Sequence, residues 1–395
     1  MSSSLPAARS APRTFKYRLW VLHRWLGLGA GLVILAVALS GGLLLLEDEI
    51  KATVESRDHV VAAPPASTAP AKLNPALARL EERFPGQSVT VVYWPDDPAH
   101  AVEVVLRDAA RSSMILATVN PWTAEIISAK PRLDTIRYWA LQLHYKLLFG
   151  LPGMIATTLA SVALTLLAVT GLWLHKRAFV SLLQAPMRLG RGTRLAWSDL
   201  HKWSGSLSLV LVFILGVTGV IYMVLILPGE IRARAAGQAG HQHGAARDVS
   251  VKWSQLPELG ALRSAAKAAL PTHEFSQLVF PGGRSPTFSA NMLDRSAWWW
   301  DKRGTVKLDV RTGAVTEALA GPQRTAKDRA LSALAGFHFG TLGASWVKWL
   351  YLLLGAVAPA VLSITGGVIW LVRTRKRART RTTPSSLPSP VPSHP

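Results

Sequence analysis

Four stretches of this chain carry no charged side chain for about 20 residues or more: 26–46, 147–174, 203–229 and 349–372. A helix of that length crosses a hydrocarbon core of about 30 Å, so the pattern predicts four membrane spans. The two long connections, between spans 1 and 2 and between spans 3 and 4, follow shorter periods. Residues 74–84 place Leu77, Leu80 and Phe84 at helical spacing and stop at Pro85-Gly86. Residues 88–94 and 101–107 alternate like strands around an Asp96-Asp97-Pro98 turn, and 115–119 and 125–128 flank Asn120-Pro121-Trp122-Thr123. The second connection repeats the order. A helical 259–270 ends at Pro271, strand-like 274–280, 287–292 and 305–310 follow, and Asp309-Val310-Arg311-Thr312-Gly313 is the turn. Each connection reads as an α+β unit near the lower size limit for an independent core, which predicts that the two units pack on each other or on the bundle.

The expected fold is an α-helical membrane bundle of four transmembrane helices with two small α+β modules. Its expected order is a basic tail (1–18), helix 1 (19–47), module 1 (48–136), an end segment with helix 2 (137–175), a loop (176–196), helix 3 (197–228), module 2 (229–330), an end segment with helix 4 (331–372), and a tail (373–395) rich in Pro, Ser and Arg that is expected to be disordered. Span–loop–span occurs twice. Both copies start on the same side, so the repeats are parallel, related by an axis along the membrane normal. Residues 62–71 and 232–249 read as linkers.

Charge sets the orientation. The 395 residues carry a formal net charge of +21, yet only 17% are charged and 49% are hydrophobic. Seventeen basic residues against one acid, Asp199, lie before Glu47, between His175 and Trp203, and after Val372. Those segments fall on one side if the spans alternate. The positive-inside rule makes that side the cytoplasm, with both termini there, and makes the modules periplasmic in a bacterial inner membrane. Lipid rather than nucleic acid is therefore the partner of the basic charge. Glu47-Asp48-Glu49 and Glu230 fall just outside spans 1 and 3. Span 1 has a basic start and small residues near Ser40, as a signal peptide does; its length and its histidine motif favour retention. No cysteine is present, which excludes disulfides, iron–sulfur clusters, thiolate catalysis and covalent haem attachment.

The candidate chemistry lies in duplicated histidines. Leu22-His23-Arg24-Trp25-Leu26-Gly27 recurs as Leu200-His201-Lys202-Trp203-Ser204-Gly205, and each His precedes a glycine, Gly41 or Gly219, by 18 residues. Leu143-His144-Tyr145 resembles Phe337-His338-Phe339, and these precede Thr170-Gly171 and Thr365-Gly366. His23 and His201 belong at the cytoplasmic ends of their spans, and His144 and His338 at the periplasmic ends. Ionisable groups at a bilayer are costly and usually functional, and paired histidines on facing helices are how a bundle holds haem. The pattern predicts two non-covalent b-type haems, one between His23 and His201 and one between His144 and His338. The glycines are expected to clear space for the macrocycle.

A lone histidine at a helix end is more often an interfacial polar group, but two duplicated pairs opposite glycines outweigh that reading. From His144 to Gly171 a straight helix would overshoot the bilayer, so Gly150-Leu151-Pro152-Gly153 is expected to break it and fold the histidine segment over the bundle mouth. His175 could replace a cytoplasmic ligand, bond a propionate, or snorkel beside Lys176 and Arg177. His241-Gln242-His243 could bind a metal but reads more readily as solvated loop. Trp298-Trp299-Trp300 could meet a flat ligand or the membrane surface. Asp96-Asp97 reads as a turn rather than an acid/base pair. No phosphate loop, nucleophile triad or dinucleotide fingerprint appears, so electrons are expected from a quinol or a separate cytoplasmic reductase.

The Leu-His-Arg-Trp start of span 1, the run His144, Leu147, Gly150, Gly153, and the Thr-Gly pairs of spans 2 and 4 resemble the PepSY-associated transmembrane family. The helix-plus-strand units, with their Thr-Gly-like turns, are similar to PepSY modules, with Ala124 standing where glycine is usual. Family members include iron-regulated inner-membrane proteins, among them haem-containing ferric-siderophore reductases. The resemblance implies a membrane oxidoreductase that reduces a ferric siderophore in the periplasm. The alternatives are a non-catalytic binding or regulatory protein and a siderophore or iron permease. The spans carry no intramembrane carboxylates of the kind many transporters use.

Overall fold

The computed structural model describes residues 14–62, 69–108, 113–175, 188, 192–235, 253–282, 287–297, 300–342 and 345–382. His241, His243, Trp298, Trp299, most of the 176–191 loop and the last 13 residues lie outside them. The chain runs α1 (Phe15–Leu45), α2 (Glu47–Thr53), α3 (Ser56–His59), α4 (Asn74–Arg83), β1 (Gln87–Tyr93), β2 (Val102–Asp108), β3 (Met114–Val119), β4 (Ile126–Pro131), α5 (Ile136–Lys146) and α6 (Leu151–His175). It continues as α7 (Thr193–Ala235), α8 (Leu259–Ala269), β5 (Glu274–Val279), β6 (Thr287–Leu293), β7 (Arg303–Asp309), β8 (Val315–Leu319), α9 (Ala326–Phe339), α10 (Trp346–Tyr351) and α11 (Ala358–Thr382). A π-helical stretch, Leu352–Val357, joins α10 to α11. It lies just before Pro359, which has no N–H to close an ordinary turn onto residue 355.

Among the described residues four helices are long and apolar enough to cross a membrane: α1, α6, α7 and the run Trp346–Thr374. They pack in a ring, each against two neighbours, so that α1 lies diagonal to α7 and α6 diagonal to α11. Their contacts are made by small side chains, among them Ala38, Ser40, Ala160, Ala163, Ser208, Thr218, Ala356 and Thr365, all buried. Lipid tails are as apolar as leucine, so close backbone approach rather than hydrophobic exclusion holds such helices together. Gly216 marks the tightest approach, since a methyl there would lie 2.6 Å from Thr165 Oγ1. The large apolar side chains point outward: Leu32 is 78% exposed and Val210 69%. That bare surface suits hydrocarbon, and the chain is a membrane protein.

Among the described residues the eight strands form one antiparallel sheet in the order β4-β3-β2-β1-β5-β6-β7-β8. Each unit contributes a four-stranded meander, and the two join through β1 and β5, with Val91 opposite Val279 and Tyr93 opposite Gln277. The join removes two open edges and fuses two marginal cores. Leu77 and Leu80 of α4 and Leu259 and Leu262 of α8 share one buried cluster with Val104, Leu106, Leu278, Phe288 and Leu308. Asn74 stitches the halves, donating from Nδ2 to Pro257 O at 3.1 Å and accepting from Leu259 N at 3.1 Å. Glu81 does the same, accepting from Val89 N and Trp253 Nε1, each at 2.8 Å.

Ion pairs tie the sheet to one end of the bundle. Glu47, Lys51, Glu55 and His59 follow at four-residue spacing. Lys51 reaches Glu47 at 2.8 Å and Glu103 of β2 at 2.5 Å, and His59 lies 3.4 Å from Glu103. Arg137 of α5 bonds Glu47 at 2.7 Å, Lys146 bonds Glu230 at 3.2 Å, and Lys348 bonds Glu49 at 2.7 Å. The acidic residues bordering spans 1 and 3 are thus clamps on the segments that lead into spans 2 and 4.

Candidate functional site

Each end of the bundle holds one histidine pair. His23 of α1 and His201 of α7 come from diagonal helices, and their rings face across the bundle with centres 6.5 Å apart. At the sheet-side end His144 of α5 and His338 of α9 stand 6.2 Å apart. The structure therefore brings together both pairs that the repeats single out.

His144 reaches the bundle because the helix breaks before it enters the membrane. Leu147, Leu148 and Gly150 adopt left-handed backbone with φ of 48°, 65° and 61°. Leucine pays about 1–2 kcal/mol to do so, and strain of this kind collects at functional sites. The break falls at residues 147–150, a little before the expected 150–153; Leu151 and Pro152 already belong to α6, where proline suits a first turn. Gly153 is required for a different reason. A methyl there would lie 1.6 Å from Lys146 O, so α5 folds back onto the glycine itself. Thr157 Oγ1 donates to Tyr145 O at 2.9 Å and pins the turn. On the other side α9 ends at Gly340, φ 69°, against the ring of Tyr351, whose hydroxyl donates to Phe337 O at 2.8 Å.

The hydrogen bonds that the four rings make run through Nδ1. His23 Nδ1 lies 2.8 Å from Thr170 Oγ1, His201 Nδ1 2.8 Å from Thr365 Oγ1, and His338 Nδ1 2.9 Å from Thr218 Oγ1. His144 Nδ1 donates to Val37 O at 2.9 Å and lies 3.4 Å from Ser40 Oγ. Each of these hydroxyl residues directly precedes a glycine: Gly41, Gly171, Gly219 or Gly366. The Thr-Gly pairs of spans 2 and 4 stand out in the sequence, whereas the Ser-Gly and Thr-Gly pairs of spans 1 and 3, and the facing of all four hydroxyls toward histidines, emerge from the structure. A methyl on Gly41 would sit 3.0 Å from His144 Cε1, on Gly171 3.5 Å from His23 Cε1, and on Gly366 3.6 Å from His201 Cε1. Gly41, Gly171 and Gly366 thus lie against the imidazoles, and Gly219 meets Ser161.

This geometry fits a metal held between each pair. Two imidazoles facing each other across one metal ion, each bound through Nε2 at about 2.0 Å, have ring centres about 6.3 Å apart, and the observed 6.5 and 6.2 Å bracket that. Among the described residues no group of three or more His, Asp or Glu side chains is placed to hold a bare ion. Two donors alone suit an iron that brings its other four ligands in a macrocycle. His175, the last residue of α6, is exposed. Beyond the spans, burial alone would raise the Glu103 carboxyl, but His59 and Lys51 hold it down to about 2, so the join between sheet and bundle is charged at neutral pH.

The family model of the PepSY-associated TM region matches residues 20–373 of this chain. Over 91 residues, 23% of the chain, it is 37% identical to an uncharacterized protein of Pseudomonas aeruginosa. That alignment covers 22% of the Pseudomonas protein, about a fifth of its length.

Proposed function

The chain belongs to the family of PepSY-associated transmembrane regions, and on that premise we propose that it is a di-haem electron-transfer protein of the inner membrane that reduces a ferric siderophore. The observation that carries the reading is the separation of the two histidine pairs, 6.5 and 6.2 Å between ring centres, each spacing suited to one bis-imidazole iron. His23 and His201 would hold the haem at the end away from the sheet, and His144 and His338 the one beneath it. Haem b, when bound, supplies one-electron transfer. The protein's part is to fix the ligands, space the two sites along the bundle and enclose them in small, close-packed side chains.

Lys16, Arg18, Arg24, Arg194, Lys202 and Arg373 lie toward the end of the bundle opposite the sheet, and the sequence segments they belong to carry 17 basic residues against one acid, Asp199, which supports a cytoplasmic placement for that end. The electron donor, a quinol or a separate reductase, would act there, with His175 as a candidate propionate partner. The sheet, built from units similar to PepSY modules, would then lie in the periplasm. The acceptor is assigned by analogy with siderophore-reducing members of the family. One electron converts Fe(III) to Fe(II), which hard oxygen ligands hold less tightly. The sheet-side pair suits a bulky acceptor because it is carried by surface segments, where Leu148, Phe149 and Phe339 are exposed.

The test is a visible spectrum of the purified protein, oxidised and dithionite-reduced, with haem quantified by pyridine haemochrome. About two haems b per chain are expected, one lost in His338→Ala and the other in His201→Ala. The reduced protein, mixed anaerobically with a ferric siderophore, should reoxidise and release Fe(II) to a chelating dye. Absence of haem after expression with ample haem supply would overturn the proposal.

A further inference from the structure

We infer that acceptors built into the spans hold all four histidines as the Nδ1–H tautomer, so that each offers a bare Nε2 before any cofactor arrives. Thr170, Thr218, Thr365 and the Val37 carbonyl are the positioning groups. Their role toward haem rests on the function proposed above; the tautomer itself does not.

The argument is a count of protons. Thr170 Oγ1 donates to Leu166 O at 2.7 Å while lying 2.8 Å from His23 Nδ1. Thr365 Oγ1 donates to Val361 O at 2.7 Å while lying 2.8 Å from His201 Nδ1. Thr218 Oγ1 donates to Ile214 O at 2.8 Å while lying 2.9 Å from His338 Nδ1. A hydroxyl has one proton. Turning it to the imidazole would leave two oxygens in contact with no hydrogen between them, since a carbonyl cannot donate. With the proton committed to the helix carbonyl, the lone pair faces Nδ1, and Nδ1 must carry the hydrogen. His144 needs no such count, because its partner at 2.9 Å is the Val37 carbonyl, an acceptor only.

A neutral imidazole protonated on Nδ1 has its lone pair on Nε2. A hydrogen bond from the remote nitrogen both fixes ring orientation and raises ligand basicity, and losing such a partner typically costs a metal site about 10–100-fold in affinity. The device is unequal at the two ends. The far pair has two threonine hydroxyls, with the Leu362 carbonyl also bonding His201, whereas the sheet-side pair has one hydroxyl and one backbone carbonyl. Ser40 donates to Ala36 O at 2.7 Å and stands 3.4 Å from His144 Nδ1. It is a minor partner, so Ser40 is the internal control.

The test uses the full chain with ¹⁵N-labelled histidine, made haem-free in a haem-deficient host, and reads the ring-nitrogen shifts by NMR. Reconstitution with haem then measures retention at each end. In the unaltered chain these histidines should show the Nδ1–H pattern. Thr170→Val should move one histidine out of that pattern and weaken haem retention at the far end about 10–100-fold. Thr170→Ser should restore both, and Ser40→Ala should leave both unchanged. Nε2–H tautomers in the unaltered chain, or a Thr170→Val protein with unchanged tautomers and retention, would overturn the inference. Correct tautomers in a chain that takes up no haem would uphold it and sink the di-haem reading; haem uptake with the wrong tautomers would do the reverse.

Discussion

Substituting Gly153 by alanine separates the two sites more cleanly than deleting a ligand. The added methyl would lie 1.6 Å from the carbonyl oxygen of Lys146 and 2.5 Å from its carbon, well inside the 3.0 Å below which something must shift. The obstacle is backbone, so no side-chain rotation relieves it, and α5 must retreat by roughly 1.4 Å. Lys146 ends the helix that carries His144 two residues earlier, so a rigid α5 transmits the shift to the imidazole. Ligand geometry at a metal site tolerates about 0.2 Å, several-fold less than the shift, and overpacking of this kind costs about 1–3 kcal/mol besides. Gly153→Ala should therefore lose the sheet-side haem and keep the one between His23 and His201, reducing haem per chain from about two to about one. Gly171→Ala is the matched control. Its methyl would meet His23 Cε1 at 3.5 Å, an ordinary contact, and both haems should remain. Pyridine haemochrome and the reduced-minus-oxidised spectrum read the outcome. A Gly153→Ala protein with two haems and an unchanged spectrum would refute the claim that the close turn from α5 into α6 places His144.

Three further outcomes follow from the packing and the charges. Gly216→Ala, whose methyl would fall 2.6 Å from Thr165 Oγ1, should lower the thermal midpoint in detergent, whereas Gly29→Ala and Gly31→Ala, with nothing within 4 Å, should leave it unchanged. Glu103 has its pKa held near 2, below the ordinary 4.5. Its contribution is therefore complete above pH 4.5 and lost as pH falls from there toward 2; it is worth at most about 3 kcal/mol, and Glu103→Gln should flatten the acid limb of a melting-temperature profile. Ala124 sits at φ 57° where its counterpart Gly313 has φ 69°; Ala124→Gly should relieve about 1 kcal/mol of left-handed strain and raise the thermal midpoint slightly.

The parts of this fold that announce themselves in sequence are those set by short periods. Uncharged runs mark all four spans, though α1 and α7 begin at Phe15 and Thr193, about ten residues before the uncharged runs, because Lys16, Arg18, Arg24 and Arg194 extend a helix beyond its apolar part without ending it. Alternation locates seven strands. The eighth, β8, is only five residues long and half-exposed, too short for its pattern to stand out. The pairing of β1 with β5 joins residues nearly two hundred positions apart, and no local period encodes it. The histidines were legible because the sequence writes them twice. Their hydroxyl partners were not, since a threonine before a glycine in an apolar run reads as helix packing until the histidine from another segment is seen against it.

The contacts of the four histidines divide along the repeat. Every histidine is oriented by the partner span of its own half: His23 by Thr170, His144 by Val37, His201 by Thr365 and His338 by Thr218. Both histidine-to-histidine pairings, by contrast, join one half to the other. One half alone would thus hold two oriented imidazoles and no complete site at either end. The sheet obeys the same logic, because each meander ends at an edge strand that finds its neighbour only in the other half. The two-fold axis that relates the halves must then pass between β1 and β5, through the His144–His338 gap, and down the bundle to the His23–His201 gap. That common axis explains why two sites of nearly equal spacing appear in a chain whose connecting segments differ. The spacing is set by symmetry-related helices, and the differences, the left-handed break before α6 and the π-helical stretch before α11, are confined to how each half brings its histidine to the axis.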